Sequence, residues 1–291
     1  MPADKPDRPD STEIRIADHE FRRFRDFLYR RTGIVFSDAQ RAYVERRLTD
    51  RILAAGSRSF SEHFARLLVE PDELERLISA FTVNETYFYR EDYQLRCLTS
   101  NLLDRITARK RRGQPIRLWS VPCSTGEEPY SIAIWLLENW SRVDSWDIEI
   151  IGSDIDVRAL DAAQDGVYSE RSLMRLPRPL VAKYFTAMDG GRYRIDEALR
   201  GSVQFSQVNI IDQADTGRWR DIDVVFCRNV LIYFDDMARR TAANNLYDCL
   251  APGGYICLGH TESMSRISPL FHVCRFPEAI VYQKPWEDSH A

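Results

Sequence analysis

The sequence has no C-x-x-C pair among its six cysteines (Cys97, Cys123, Cys227, Cys249, Cys257 and Cys274), and its five histidines do not cluster with them. A redox motif, a disulfide scaffold and a metal site are therefore not expected. The longest purely apolar run, residues 132–137, is far shorter than the ~20 residues that a membrane-spanning helix needs. Residues 1–10 contain no apolar core, so no signal peptide is expected, and residues 1–13 read as a disordered tail. A reduced, cytoplasmic chain without membrane insertion is the expectation. Neither charge is in large excess: Lys and Arg total 40, Asp and Glu 44, for a net −4 at pH 7. That balance argues against a nucleic-acid coat or a polybasic membrane anchor. G-x-G-x-x-G and G-x-x-x-x-G-K-[ST] are both missing, so pyrophosphate and nucleoside triphosphate binding have little support. There are no internal repeats and no low-complexity tract.

What is present is an ordinary globular composition, 44% hydrophobic and 29% charged over 291 residues, with room for one large domain or two modest ones. Over residues 14–80 apolar side chains recur at helical spacing: Phe21, Phe24, Phe27 and Leu28; Tyr43, Leu48, Ile52 and Leu53; Phe64, Leu67 and Leu68; Leu74, Leu77 and Ile78. Gly33 and Gly56 punctuate the runs and Pro71 opens the last. This predicts a small all-helical N-terminal domain. Residues 14–58 carry eleven arginines against six carboxylates. That local basic excess suits either a solvated helix face or a dock for an acidic partner.

A segment at 81–112 leads into a different texture. Strands are predicted at 116–121, 148–153, 203–208, 223–227, 255–259 and 279–283, with helices at 129–140, 157–164 and 237–250. Pro252-Gly253-Gly254 reads as a turn. Alternating βα units imply a mostly parallel sheet covered on both faces, here over 113–285. The rhythm breaks at about 166–203. There Lys183-Tyr184-Phe185 and Tyr193-Arg194-Ile195 flank Asp189-Gly190-Gly191, a β-hairpin pattern.

The chemistry-bearing residues fall at predicted strand ends, where doubly wound sheets bind ligands. Ser124-Thr125-Gly126 lets the backbone approach a ligand closely. Glu127 and Glu128 follow at a helix start, where a phosphate binder would avoid negative charge; they suit either the helix dipole or a cationic ligand. Asp154 and Asp156 end the second strand, so that one can grip ribose hydroxyls while the other caps the next helix. Asn209 with Ile210, and Asn229 with Val230, end two further strands. These features describe an adenosine-bearing, phosphate-free, positively charged ligand, a description that S-adenosylmethionine meets.

The strings Thr82-Val-Asn84-Glu-Thr86-Tyr-Phe-Tyr-Arg90-Glu91, Ser124-Thr-Gly-Glu-Glu-Pro-Tyr-Ser131, Ser153-Asp-Ile-Asp156, Cys227-Arg-Asn-Val-Leu-Ile-Tyr-Phe-Asp235 and Gly259-His-Thr-Glu-Ser263 resemble the chemotaxis receptor glutamate O-methyltransferase family (CheR). The resemblance spans residues 21–282. It implies an α/β fold: a Rossmann-like S-adenosylmethionine-dependent methyltransferase domain with an inserted small antiparallel β-subdomain, preceded by an all-α N-terminal domain. It implies transfer of a methyl group to glutamates on the cytoplasmic helices of chemoreceptors, leaving S-adenosylhomocysteine. By the same resemblance Asn84, Thr86, Arg90, Glu127, Asp154, Asn209, Ile210, Asn229 and Val230 would contact the cofactor. Arg90 would take the methionyl carboxylate, and Tyr233 with Arg90 would stand near the reacting centre. The basic helices, Arg46, Arg47 and Arg51 in particular, would dock the receptor. The family prior is a monomer. Some members tether a receptor pentapeptide on a longer hairpin loop; the short loop of residues 186–192 here predicts independence of it. Two rivals are weighed against this. A nucleic-acid methyltransferase would carry an Asn/Asp-Pro-Pro-Tyr-like motif after the fourth strand, where this chain has Arg228-Asn-Val-Leu-Ile-Tyr. A non-catalytic adaptor, sensing S-adenosylmethionine or docking receptors without turnover, ranks below it because the cofactor-matching positions are all intact.

Overall fold

The computed structural model describes residues 14–286; the expected disordered tail at 1–13 lies outside the described residues. The chain divides into two compact units, one running to Arg31 and over Phe36–Phe81, the other comprising Thr32–Val35 and everything from Thr82 onward.

The first unit is helical: α1 (Asp18–Thr32, its last residue counted with the second unit), α2 (Arg41–Ala54), α3 (Phe60–Leu67) and α4 (Pro71–Phe81). Ser59 caps α3, its side chain accepting from Glu62 N at 3.2 Å, and Pro71 starts α4, where its missing N–H costs nothing. The apolar faces meet in a core of Phe24, Leu28, Leu48, Ile52, Leu77 and Phe81. Into this core the chain also brings Glu73, 1% exposed. Arg51 holds it through two hydrogen bonds, Nε to Oε1 at 2.6 Å and Nη2 to Oε2 at 3.0 Å. This corrects the expectation for Arg51, whose guanidinium is committed inside the unit. Arg47 likewise donates to the Ala80 carbonyl and stacks over Tyr43, while Arg46 is exposed.

The second unit is a doubly wound α/β structure. Its strands β1 (Ile116–Ser120), β2 (Ile148–Asp154), β3 (Val167–Ser169), β4 (Phe185–Met188), β5 (Arg192–Ile195), β6 (Val203–Gln207), β7 (Ile222–Cys227), β8 (Leu250–Leu258), β9 (His272–Arg275) and β10 (Ile280–Gln283) form two sheets. The seven-stranded sheet has the order β6-β2-β1-β7-β8-β10-β9, parallel from β6 to β8 with an antiparallel β10-β9 edge. The three-stranded sheet, β3-β5-β4, is antiparallel and lies between the helix Val157–Asp165 and β6 along the chain, as an inserted subdomain. The central strands are buried on both faces, β7 throughout, as parallel strands between helices must be. Residues 93–107 form a helix interrupted by a π turn at Leu98–Leu102, and its Leu95, Leu98, Leu102 and Leu103 join the sheet's core.

Two sequence readings change. Lys183 and Tyr184 end the helix Arg178–Tyr184, and the hairpin strand begins at Phe185. Pro252-Gly253-Gly254 is an irregularity within β8, where the register with β7 slips between Ile222 and Val224. Gly253, at φ +73°, leaves room for the Trp286 ring, which a Cβ would meet at 1.8 Å. Among the described residues no disulfide joins the cysteines, and no helix is long and apolar enough to cross a membrane.

Candidate active site

Strand order reverses between β1 and β7, and the carboxyl ends of β1, β2, β6 and β7 open there onto one cleft. Its atom-free space, mouth included, is about 1060 Å³. This is the switch-point crevice of an open parallel sheet. The wall contains Asn84, Thr86, Arg90, Ser124, Glu128, Asp154, Asn209, Ile210, Arg228, Asn229, Val230 and Tyr233.

The β1 loop is shaped by backbone conformations that few residues adopt. Ser124 (φ 49°) and Gly126 (φ +91°) are both left-handed. A Cβ at Gly126 would meet Ala163 at 2.9 Å and Tyr130 and Tyr168 at 3.1 Å, so the position requires glycine on both counts. The loop is tied to β2: Asp154 Oδ2 accepts from Ser124 N at 2.8 Å and Oδ1 from Asp156 N at 2.9 Å. Burial pushes the Asp154 carboxyl up to about 6, against the lowering effect of those two backbone donors. Asp156 takes the capping role. Its Oδ1 accepts from Arg158 N and Ala159 N at the start of the helix Val157–Asp165, and its Oδ2 from Thr82 Oγ1 at 2.7 Å and Asn84 Nδ2 at 2.8 Å. Asn84 in turn accepts from Ser124 Oγ at 3.1 Å. The two aspartates are thereby sorted: Asp156 fixes the helix start and the segment carrying Thr82 and Asn84, and Asp154 faces the cleft.

The opposite wall centres on Arg228, 6% exposed. Its Nη1 reaches Glu128 Oε2 at 2.6 Å, and its Nη2 the Arg90 carbonyl at 2.7 Å and Glu91 Oε2 at 3.1 Å. Glu91 also accepts from Tyr93 at 3.0 Å, and its Oε1 lies 2.9 Å from His260 Nδ1. Burial raises the Glu91 carboxyl, but Arg228 and these hydrogen bonds outweigh it and leave the group below its ordinary range. At Glu128 burial prevails over Arg228 and Ser120, and the carboxyl stays above that range. The neighbouring turn is held by Glu262, which accepts from Asn229 N, Leu231 N and Gly259 N at 2.8–2.9 Å.

The structure thus brings Asn84, Thr86, Arg90, Asp154, Asn209, Ile210, Asn229, Val230 and Tyr233 to one cleft. Glu127 is not in its wall. Its carboxylate accepts from Thr125 Oγ1 at 2.6 Å and from Ser172, and burial raises its pKa. The adjacent Glu128 faces the cleft instead. The sequence reading does not single out Arg228, Glu91 or Glu262 and leaves Glu128 open between the helix dipole and a cationic ligand, although all four lie inside the motif strings.

The donor set fits an adenosyl sulfonium. Asp154 offers carboxylate acceptors for ribose hydroxyls, Val208 and Ile210 an apolar face for a purine, and Arg90 a guanidinium for a carboxylate. No lysine stands in the wall to hold a phosphate.

Comparison with known proteins agrees. The family description "CheR methyltransferase, all-alpha domain" matches residues 19–82, and "CheR methyltransferase, SAM binding domain" matches residues 84–280. The chain is 48% identical over 275 residues to chemotaxis protein methyltransferase 2 of Vibrio cholerae serotype O1, covering 94% of this chain and 95% of that one. It is 36% identical over 261 residues to chemotaxis protein methyltransferase 2 of Pseudomonas aeruginosa, covering 89% and 91%. It is 34% identical over 260 residues to the chemotaxis protein methyltransferase of Salmonella typhimurium, covering 87% of each. An all-α unit, a switch-point cleft with an acidic β2 end and matches along nearly the whole length place this chain in the CheR family of S-adenosylmethionine-dependent methyltransferases.

Proposed function

We propose that the protein methylates glutamate side chains on the cytoplasmic helices of a chemoreceptor, forming glutamate methyl esters. The observation that carries this reading is the makeup of the cleft wall, which contains no histidine or lysine. Its cysteine, Cys123, is buried with its thiol pushed far up, Asp154 is occupied by two backbone donors, Glu128 is held by Arg228 and Ser120, and Glu85 is exposed beside Arg171. Such a site is poorly equipped to deprotonate an amine or an alcohol. A glutamate, with a reference pKa of about 4.3, arrives already ionised and needs only alignment and exclusion of water. S-adenosylmethionine supplies, when bound, a methyl group on a positively charged sulfur. Asp154 would hold its ribose, Asn209 and Ile210 its adenine, Asn84, Thr86 and Arg90 its methionyl end, and Asn229 and Val230 the floor. Tyr233 is the side chain assigned to the reacting centre.

The receptor, an acidic helix bundle on this reading, would dock on exposed cations of the first unit. Arg46 qualifies, whereas Arg51 is spent on Glu73. The test is methyl transfer from labelled S-adenosylmethionine to a receptor cytoplasmic fragment, followed by treatment at high pH. Esters release the label as methanol, which is the expected result. A base-stable label, or labelling of nucleic acid instead, would refute the reading.

A further inference from the structure

We propose that Arg228 is a positioning residue for this reaction: its guanidinium braces Arg90 through the Arg90 backbone carbonyl and the neighbouring Glu91 carboxylate, and so sets where the Arg90 side chain enters the cleft. The proposal rests on the assignment of Arg90 to the methionyl carboxylate.

Arg90 sits on a strap, residues 82–92, without helix or strand. It is flanked by Tyr89 at φ 58° and Glu91 at φ 53°. Left-handed non-glycine residues on both sides of one position are strained and persist only where the surroundings impose them. The imposing contacts can be named. Phe88 N donates to the Ser172 carbonyl at 2.9 Å and Tyr89 N to Ser131 Oγ at 3.0 Å. Beyond Tyr89, the Arg90 carbonyl and the Glu91 carboxylate both take Arg228 Nη2. The other fork of the guanidinium is anchored on Glu128, at the start of the helix Glu127–Asn139. One planar group therefore clips the strap, that helix and the end of β7 together. A lysine, as a point charge, could serve Glu128 or the strap but not both. The strap's other end is independent of it: Thr82 and Asn84 are held by Asp156, and Asp154 by the Ser124 loop. Loss of the brace should therefore be felt at the methionyl end of the ligand and not at its adenosine end.

Calorimetry on the full chain with two probes, S-adenosylhomocysteine and adenosine, reads this split. Arg228→Lys should weaken S-adenosylhomocysteine about ten-fold or more, as expected for a displaced charge-assisted contact, while leaving adenosine affinity unchanged. Equal weakening of both probes would mean a merely structural role and would overturn the proposal, as would no change in either. Should that variant fail to fold, Glu91→Gln decides. It removes the charged half of the arm to the strap while Arg228 keeps the Arg90 carbonyl and Glu128, so a smaller loss with the same selectivity is expected; unchanged S-adenosylhomocysteine affinity overturns the proposal. Arg90→Met separates the two claims. Full S-adenosylhomocysteine affinity in Arg90→Met would bring down the assignment of Arg90 and this proposal with it. Selective loss in Arg90→Met beside an unaffected Arg228→Lys would bring down the brace alone.

Discussion

Asp154 Oδ2 accepts a hydrogen bond from the backbone nitrogen of Ser124 at 2.8 Å, across the gap between the ends of β2 and β1. The same carboxylate that shapes the loop is the one proposed to take the ribose, and burial has raised its pKa to about 6. The ionised form accepts ribose hydroxyls, whereas the protonated form gives up an acceptor. S-adenosylhomocysteine affinity should accordingly fall as pH drops through about 6, with proton release on binding near that pH. For the free fold the sign is opposite. The raised pKa contributes stability that is complete below the ordinary aspartate value and lost as pH rises through about 6. Thermal melts with and without ligand at pH 7 and pH 5 check this: the ligand-induced shift should shrink at pH 5. An undiminished shift would exclude Asp154 as the ribose acceptor.

Gly126 is the position where a single methyl group should do most harm to the cleft. Its left-handed backbone costs an alanine roughly 1–2 kcal/mol, and the added Cβ would also press on Ala163, Tyr130 and Tyr168. Gly126→Ala should lower the melting temperature and weaken both adenosine and S-adenosylhomocysteine. Gly190→Ala, in the open hairpin turn with nothing within 4 Å of its Cβ, shares the strained φ but not the contacts. It should cost stability and leave ligand affinity alone. Equal ligand affinity in the two variants would contradict the packing argument.

The amphipathic runs of the helical unit and the central strands were legible because each is long and strongly patterned; β7, for instance, is apolar at nearly every position and buried at all of them. The edge strand β9 was not, since His272-Val-Cys-Arg275 is mostly exposed and carries no alternation. Lys183 and Tyr184 look β-like by composition, yet the helix started after Pro177 runs through them. Spacing offered Asp154 and Asp156 a cap and a ribose grip between them, and the resemblance gave the grip to Asp154. Spacing alone could not assign the cap, because that depends on the helix starting at Val157. Glu127 and Glu128 are chain neighbours that a helix turns about 100° apart, so only the structure decides which faces the cleft. Arg228 escaped notice because its partner Glu128 is 100 residues away along the chain.

Arg51 and Arg46 lie on one helix and should respond in opposite ways. Arg51→Ala takes both hydrogen bonds from the Glu73 carboxylate, 1% exposed, and leaves it the more distant Arg76 guanidinium at 3.8 Å. Removing one partner of such a pair costs about 3–5 kcal/mol, so this variant should melt well below the parent and lose methylation for that reason alone. Arg46→Glu, on an exposed side chain, should stay within about 0.5 kcal/mol of the parent in stability. Its receptor methylation should weaken at unchanged S-adenosylhomocysteine affinity, more so at low salt, where surface charges are least screened. Chemical denaturation and methylation assays on the two variants check both. Full methylation by Arg46→Glu would exclude that arginine from docking.

His63 is fully buried beside the same glutamate, with Nε2 3.7 Å from Glu73 Oε1 and neither ring nitrogen hydrogen-bonded among the described residues. Burial holds its pKa below the ordinary 6.5, and the nearby Glu73 offsets this only in part. A histidine kept neutral in the fold but free to ionise in the unfolded chain gives stability that is whole above 6.5 and drains away as pH falls toward its lowered folded value. Acid should therefore loosen the helical unit between pH 7 and pH 5 partly through this one ring. His63→Leu removes both the unpaired nitrogens and the titration. Its unfolding free energy should fall less than the parent's over that interval, as measured by urea denaturation at the two pH values. Parallel losses in parent and variant would place the acid sensitivity elsewhere, with the carboxylates rather than with His63.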